Sequence, residues 1–256
     1  MDHQATHLYF QSKVSRHKPM TLNQAEDHPC PFCDRARLRD VLLEDGPILL
    51  LKNKYPVLAD TEPLVLIETD DCLGELSEYP REHLFKVMDI AINQWLAMEK
   101  DPRFVSVLFL KNHGPFSGGT IRHPHMQIIG LNKLDCRQYI RLSHFQGVPI
   151  HRENQVELNV STLPLAGFYE FNLIARSAGS LHTLALMIQK TVHFLLNAFR
   201  DKSCNSYNFF FYHIDGVIYC KIIPRYVTTP IFMGYLIPQI PDNLQEILDG
   251  FTSLYF

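Results

Sequence analysis

The sequence predicts an α+β fold made of two tandem half-domains, each a mostly antiparallel sheet with a packed helix. The second half reads as a degenerate copy of the first. Three observations predict this. Short apolar runs rich in β-branched and aromatic residues flank two long helical patterns. The order of those runs repeats: 172–175 echoes 65–68, a helix at about 180–199 echoes one at 80–99, and 221–224 echoes 127–130. The spacing then departs in one place. Gly114 to Gly216 is 102 residues but Gln127 to Lys221 is 94, and the missing eight equal the length of a Gly-rich loop, 115–122. Val217 and Tyr219 stand where the first copy has His123 and His125. The second copy therefore keeps the fold and loses the chemistry.

Bulk properties narrow the function. A chain of 256 residues can bury a sizeable core, and 46% hydrophobic with 20% charged residues is ordinary for a soluble globular protein. A net charge of −3 with no Lys/Arg cluster gives no footprint for nucleic acid. No apolar run reaches the roughly 18–20 residues that span a membrane, and no signal-peptide core follows the N-terminus, so the cytoplasm is the expected location. Six cysteines are too sparse for a disulfide scaffold, and the Cys-x-x-Cys pair suggests metal.

Taken in order, residues 1–14 lack a periodic pattern and are expected to be disordered. Within them Leu8-Tyr9-Phe10-Gln11-Ser12 resembles part of a protease-cleavable tag, without the usual preceding Glu-Asn. The first half is assigned to 15–135, a polar connector to 136–156, and the degenerate half to 157–256. In His28-Pro29-Cys30-Pro31-Phe32-Cys33, one turn can bring the Cys30 and Cys33 sulfurs to a single Zn²⁺. A redox pair is the rival, but the strand-then-Cys-x-x-Cys-then-helix context is missing. Residues 48–51 and 64–68 read as core strands separated by Asn53-Lys54-Tyr55-Pro56. From Pro80 to Glu99, Leu84, Val87, Met88, Ala91, Trp95 and Met98 recur at helical spacing behind a Pro in the first turn, a packing stripe. Leu184, Met187, Ile188, Thr191, Val192 and Leu195 do the same in the second helix.

Between the strands at 105–110 and 128–131 lies the chemistry-bearing stretch, from Asn112 to Gln127. Ser117, Gly118, Gly119 and Thr120 can turn backbone N–H groups and hydroxyls towards an anion. His123, His125 and Gln127 alternate, which puts all three on one face of a strand. An anion held beside an imidazole on a rigid strand suggests phosphoryl or nucleotidyl transfer to histidine.

His123-Pro124-His125-Met126-Gln127 resembles the His-x-His-x-Gln signature of the histidine-triad (HIT) superfamily. More closely, it resembles the branch holding galactose-1-phosphate uridylyltransferase and diadenosine tetraphosphate phosphorylase. Asn112-His113-Gly114, eleven residues before the first His, resembles the Asn-x-Gly of that uridylyltransferase, and the likeness continues upstream through Asp71-Cys72, Asn53-Lys54-Tyr55-Pro56 and Cys30-Pro31-Phe32-Cys33. The whole chain resembles a bacterial offshoot of this branch, and a tandem HIT-like fold with one degenerate half is what the resemblance implies.

The resemblance also implies roles. Cys30, Cys33, Cys72 and His123 would hold a structural Zn²⁺, with Asp71 as the alternative third ligand, because Glu75-Leu76-Ser77 follows with a two-residue deletion relative to the family. His125 would be the nucleophile and Gln127 would hydrogen-bond a phosphoryl oxygen. Hydrolases of the superfamily usually carry a third His there, and a Gln cannot exchange protons near neutral pH, which favours transfer over hydrolysis. Ser117, Gly118, Gly119 and Thr120 would form the phosphate cradle, Asn112 would hold the loop or the phosphate, and Arg122 would neutralise charge. Asn53 and Tyr55 would lie against the nucleoside, and Ser15-Arg16-His17-Lys18-Pro19 resembles a basic segment that approaches the nucleotide phosphates. The family's second metal site uses a His-x-His in its second half, which Tyr219-x-Lys221 cannot supply.

The expected activity is a nucleotidyltransferase moving a nucleoside monophosphate from a nucleotide or nucleotide-sugar donor to a phosphate or sugar-phosphate acceptor. The alternatives are a dinucleoside polyphosphate phosphorylase or hydrolase, and a non-catalytic zinc-stabilised nucleotide-binding protein. Members of the superfamily often pair as homodimers, though no stretch here marks an interface.

Overall fold

The computed structural model describes residues 6–20, 22, 30–229, 231–235 and 237–256; His28 and Pro29 of the Cys-x-x-Cys stretch and residues 1–5 lie outside them. The chain divides into two compact units, 1–75 with 86–140 and 76–85 with 141–256.

The first unit comprises a short helix α1 (Ser12–Ser15), strands β1 (Val41–Asp45), β2 (Ile48–Lys52) and β3 (Thr61–Ile67), helix α2 (Arg81–Glu99) from residue 86 on, and strands β4 (Ser106–His113) and β5 (His125–Leu131). Its strands run in the order β1-β2-β3-β5-β4, each pair antiparallel. Alternation then assigns the two faces of β4 and β5. Phe109 packs its ring against Trp95 of α2. Leu108 and Leu110 turn the other way, towards Ile129 and Leu131. The six apolar positions expected on α2 are all buried, and the Trp95 indole N–H donates to the Val107 carbonyl. Gly130 is required in β5, because a Cβ there would come within 2.4 Å of the Phe104 ring.

The second unit holds β6 (Gly147–Glu153), β7 (Val156–Ser161), β8 (Phe171–Ala175), α3 (Leu181–Asn197), β9 (Tyr207–Ile214), β10 (Val217–Pro224), α4 (Ile231–Tyr235) and α5 (Leu244–Tyr255). Its strand order is β9-β10-β8-β7-β6, again antiparallel. The expected stripe on α3 is buried throughout. Lys221 of β10 is buried and donates to the Glu170 carboxylate, the Asn172 side-chain carbonyl and the His144 backbone carbonyl, so its charge is met on three sides.

Three features depart from expectation. Within the stretch 136–156, read as a connector, residues Gly147–Glu153 form the edge strand β6. Both faces of that strand keep solvent access, so no alternation marks it in the sequence. Within 6–14, read as disordered, the Gln11 N–H donates to the Val57 carbonyl and the Ala59 N–H to the Tyr9 carbonyl. Backbone pairing orders this arm, and backbone pairing leaves no hydropathy pattern.

The third departure is the alignment of the two copies. Leu110 faces Gln127 seventeen residues on, while Phe210 faces Lys221 eleven residues on. Val65 against Gln127 and Asn172 against Lys221 fit the expected correspondence. The deletion is therefore six residues rather than eight, and Gly114 corresponds to Ile214. Asp215 (φ 50°) and Gly216 (φ 77°) are themselves the turn, a two-residue hairpin connection with both residues left-handed.

Candidate active site and metal cluster

Residues 123 to 127 tie a thiol cluster to a cavity. The tight turn at Cys30, closed by the Cys33 N–H on the Cys30 carbonyl at 3.1 Å, puts both sulfurs beside Cys72 and His123. The ligating atoms of these four residues all lie within 4.8 Å of one another. Cys72 joins the cluster through the turn after β3, where the Asp71 carboxylate instead accepts the Leu73 N–H. His123 donates from Nε2 to the Thr69 carbonyl at 2.8 Å, since a carbonyl only accepts. That leaves the lone pair on Nδ1, 3.5 Å from the Cys33 sulfur.

Burial alone would raise the Cys30 thiol. The side-chain interaction with His123 and hydrogen bonds from the Phe32 and Cys33 N–H groups outweigh it and bring the group down to about 7. Burial, followed by the neighbouring Cys33 and Cys30, pushes Cys72 up to about 12. One thiolate forms readily and the next is repelled, an imbalance that a divalent cation removes. Three thiols and an oriented imidazole fit a tetrahedral Zn²⁺.

His125 opens β5 rather than lying mid-strand, and its Nδ1–H donates to the His123 carbonyl at 2.8 Å. The same dipeptide thus orients a metal-side nitrogen on one ring and fixes the tautomer of the other. Burial is the main force lowering the His125 imidazole to about 4, outweighing the carbonyl bond, with the Lys111 and Lys18 charges adding to the shift. The ring is therefore neutral near pH 7, with its Nε2 lone pair available. Phe32 sits edge-on to both rings, at centroid distances of 5.9 Å to His123 and 5.3 Å to His125.

Beside His125 opens a cavity of about 500 Å³ whose lining includes Gln127, Thr120, Asn53 and Tyr55. Phe32, Leu38, Leu51 and Val65 give it an apolar wall, and Lys18, Arg37, Arg39, Lys52 and Lys54 line it against Asp34 and Asp40. The Asn53 side-chain oxygen accepts the Tyr55 N–H at 2.8 Å, a local turn that sets the Tyr55 backbone. Lys18 is half-buried, and burial lowers its pKa.

The Gly-rich loop is held from within. Ser117 donates to the Gly114 carbonyl at 2.7 Å and accepts the Gly119 N–H at 3.2 Å, so its hydroxyl shapes the loop. Gly114 (φ 81°) and Gly118 (φ 80°) supply the left-handed turns. Gly119 packs on Asn112, where a Cβ would come within 3.2 Å of the Asn112 Cβ. Arg122, expected to face phosphate, instead donates to the Glu75 carboxylate and to the Leu73 carbonyl.

Two groups of residues escaped the sequence reading. Arg37, Arg39 and Lys52 look like ordinary surface cations until the fold turns them towards one cavity. Behind the cavity, Lys111 of β4 is paired with Glu68 at side-chain exposures of 2% and 0%. Its signal was a lysine closing an otherwise apolar strand pattern.

Residues 10–134 match the N-terminal domain, and residues 137–256 the C-terminal domain, of a family described as a domain of unknown function, DUF4931. No curated protein matches the chain. Among solved structures, a DUF4931 family protein from Bacillus cereus ATCC 10987 is 41% identical, with a TM-score of 0.78 over 84% of this chain and 99% of that one. A uridylyltransferase gives a TM-score of 0.70 at 16% identity, over 92% and 94% of the two chains. An ADP-glucose phosphorylase from Arabidopsis thaliana, solved with bound ADP-glucose, gives 0.69 at 13% identity, over 91% and 93%. At such identities these two likenesses speak for the fold alone, which is the α+β uridylyltransferase-like fold expected from the sequence. With both of its halves matched and a solved relative covering most of its length, the chain belongs to the DUF4931 family.

Proposed function

We propose that this chain is a nucleotidyltransferase of the uridylyltransferase-like branch, working through a covalent nucleotidyl-His125. The observation that carries the reading is the His125 imidazole, its Nδ1–H committed to a carbonyl and its other nitrogen beside a cation-lined cavity. His125 Nε2 attacks the α-phosphorus of the donor; the P–N bond forms as the P–O bond to the leaving group breaks, and the rest of the donor departs as a sugar-phosphate, pyrophosphate or nucleoside-polyphosphate anion. The imidazolium so formed keeps its Nδ1 proton, and the His123 carbonyl stabilises that charge. An acceptor oxygen then attacks phosphorus, the P–N bond breaks, and neutral His125 returns.

Gln127 donates its amide N–H to a phosphoryl oxygen, and Lys18 faces the departing anion. Thr120 and the backbone of Gly118 and Gly119 complete the cradle. Ser117 and Asn112 keep that loop in shape. Asn53 and Tyr55 border the nucleoside. Cys30, Cys33, Cys72 and His123 would hold Zn²⁺ with four protein ligands, so the metal supplies a structural staple and leaves no open position for substrate. Five cations against two carboxylates in the lining suit a donor with more than one phosphate, which keeps dinucleoside polyphosphates beside nucleotide sugars.

The test is intact-protein mass after brief incubation with UDP-sugars, ADP-sugars, NTPs and dinucleoside tetraphosphates. The expected result is an acid-labile, base-stable adduct of nucleoside-monophosphate mass. Zinc-loaded protein that gives no adduct with any donor would leave the nucleotide-binding scaffold as the better reading. Gln127→Ala is expected to slow adduct formation by roughly 10²–10³-fold, the usual cost of one oxyanion donor. A rate within about twofold of wild type would remove Gln127 from the cradle.

A further inference from the structure

Three interactions hold the short run that carries the two histidines, and all three come from the end of β3 or from Lys111. The Thr69 carbonyl accepts His123 Nε2–H at 2.8 Å. The Glu68 N–H donates to the Pro124 carbonyl at 3.1 Å. Lys111 Nζ donates to the Glu68 carboxylate and stands 3.5 Å from the His125 carbonyl, long for a hydrogen bond but close for a charge on a carbonyl dipole. The β3–β5 ladder reaches Ile67 opposite His125, and the Glu68 N–H continues it onto Pro124, which has no N–H to return.

Stability does not explain the pair. Two fully buried charges cost several kcal/mol each to desolvate, and apolar residues of similar volume would serve the fold as well or better. Nor does substrate contact explain it. Lys111 shares the face of β4 that bears Phe109 and packs under α2, opposite the face that bears Leu110 and the cavity side of β5.

We propose that Glu68 and Lys111 form a positioning clamp on the backbone of His125, holding the imidazole in line for attack without touching substrate. This rests on the reading of His125 as the nucleophile. The clamp acts on the chemical step. A displacement of about 1 Å at a reacting group can cost on the order of 10²-fold in rate.

The test is the double variant Glu68→Leu/Lys111→Met, which leaves no orphaned charge. Single-turnover adduct formation is read beside zinc content, thermal midpoint, nucleotide affinity, and the ¹⁵N-histidine NMR resonance of the His125 Nδ1–H. The expected result is a fall of about 10- to 100-fold in the first-order rate, with faster exchange of that proton. Zinc, midpoint and affinity should stay near wild type. A wild-type rate with an unchanged resonance overturns the clamp, and so does a loss of affinity with no loss of rate. If wild-type protein forms no adduct with any donor, the nucleophile reading fails and the resonance alone decides the clamp: faster exchange sustains it and unchanged exchange ends it. Should this variant not fold, Glu68→Gln/Lys111→Gln gives the same comparison, because its shorter amide at position 111 cannot reach the His125 carbonyl.

Discussion

His125→Ala is expected to lose nucleotidyl transfer by at least about 10⁴-fold, the scale seen when a covalent nucleophile is removed. It should still bind zinc and nucleotide. The reasoning starts from orientation. The His123 carbonyl holds one ring nitrogen and burial keeps the ring neutral, so nearly all of the protein presents a ready lone pair at neutral pH. Neither of its partners on the same strand face can take over, since Gln127 is not nucleophilic and the His123 nitrogens face Thr69 and the thiols. The ring is buried where it lines the cavity, so the thermal midpoint is read beside the rate to separate lost chemistry from lost packing. Radiolabel transfer and intact mass measure the effect together. A mass adduct surviving in His125→Ala would point to a different nucleophile.

Metal removal is expected to have the other large effect. Purified protein should carry about one zinc per chain, and a strong chelator should lower its thermal midpoint steeply. Structural zinc contributes binding free energy directly to folding, on the order of 10 kcal/mol in small domains. Even a loss of about 4 kcal/mol would move the midpoint of a chain this size by roughly 8–16 °C. Transfer activity should fall with it, because only Pro124 separates His123 from His125, so any slackening at the cluster passes directly to the nucleophile. Cys72→Ala should mimic chelation in zinc content and in midpoint. A chelator-treated chain that keeps its midpoint, or a protein that purifies with a Cys30–Cys33 disulfide and no zinc, would sink the structural-zinc reading.

Much of this architecture could be read in the sequence, for identifiable reasons. The stripes on α2 and α3 were legible because a one-sided helix writes its burial into a period of 3.6. The Gly-rich loop and the two histidines were legible because they are contiguous. Strands β1 and β6 were not, since exposed edges carry no alternation. Helix α5 also escaped, although Leu248 and Phe251 at a three-residue spacing on its buried face were a usable clue. The Glu68–Lys111 pair spans 43 residues and exists only once β3 and β4 flank β5. The two-residue error in aligning the copies arose because a glycine was matched to a glycine, whereas hydrogen-bond register matched Gly114 to Ile214.

That register has an evolutionary reading. The first copy's β4–β5 connection and the second copy's Asp215-Gly216 turn differ by six residues, while the strand pairings on either side of each stay in step. A connection of this kind can therefore be gained or lost as a cassette, by one insertion or deletion, without re-threading a sheet. In the second half Lys221 stands where Gln127 stands in the first, and its buried ammonium is spent on Glu170 and Asn172.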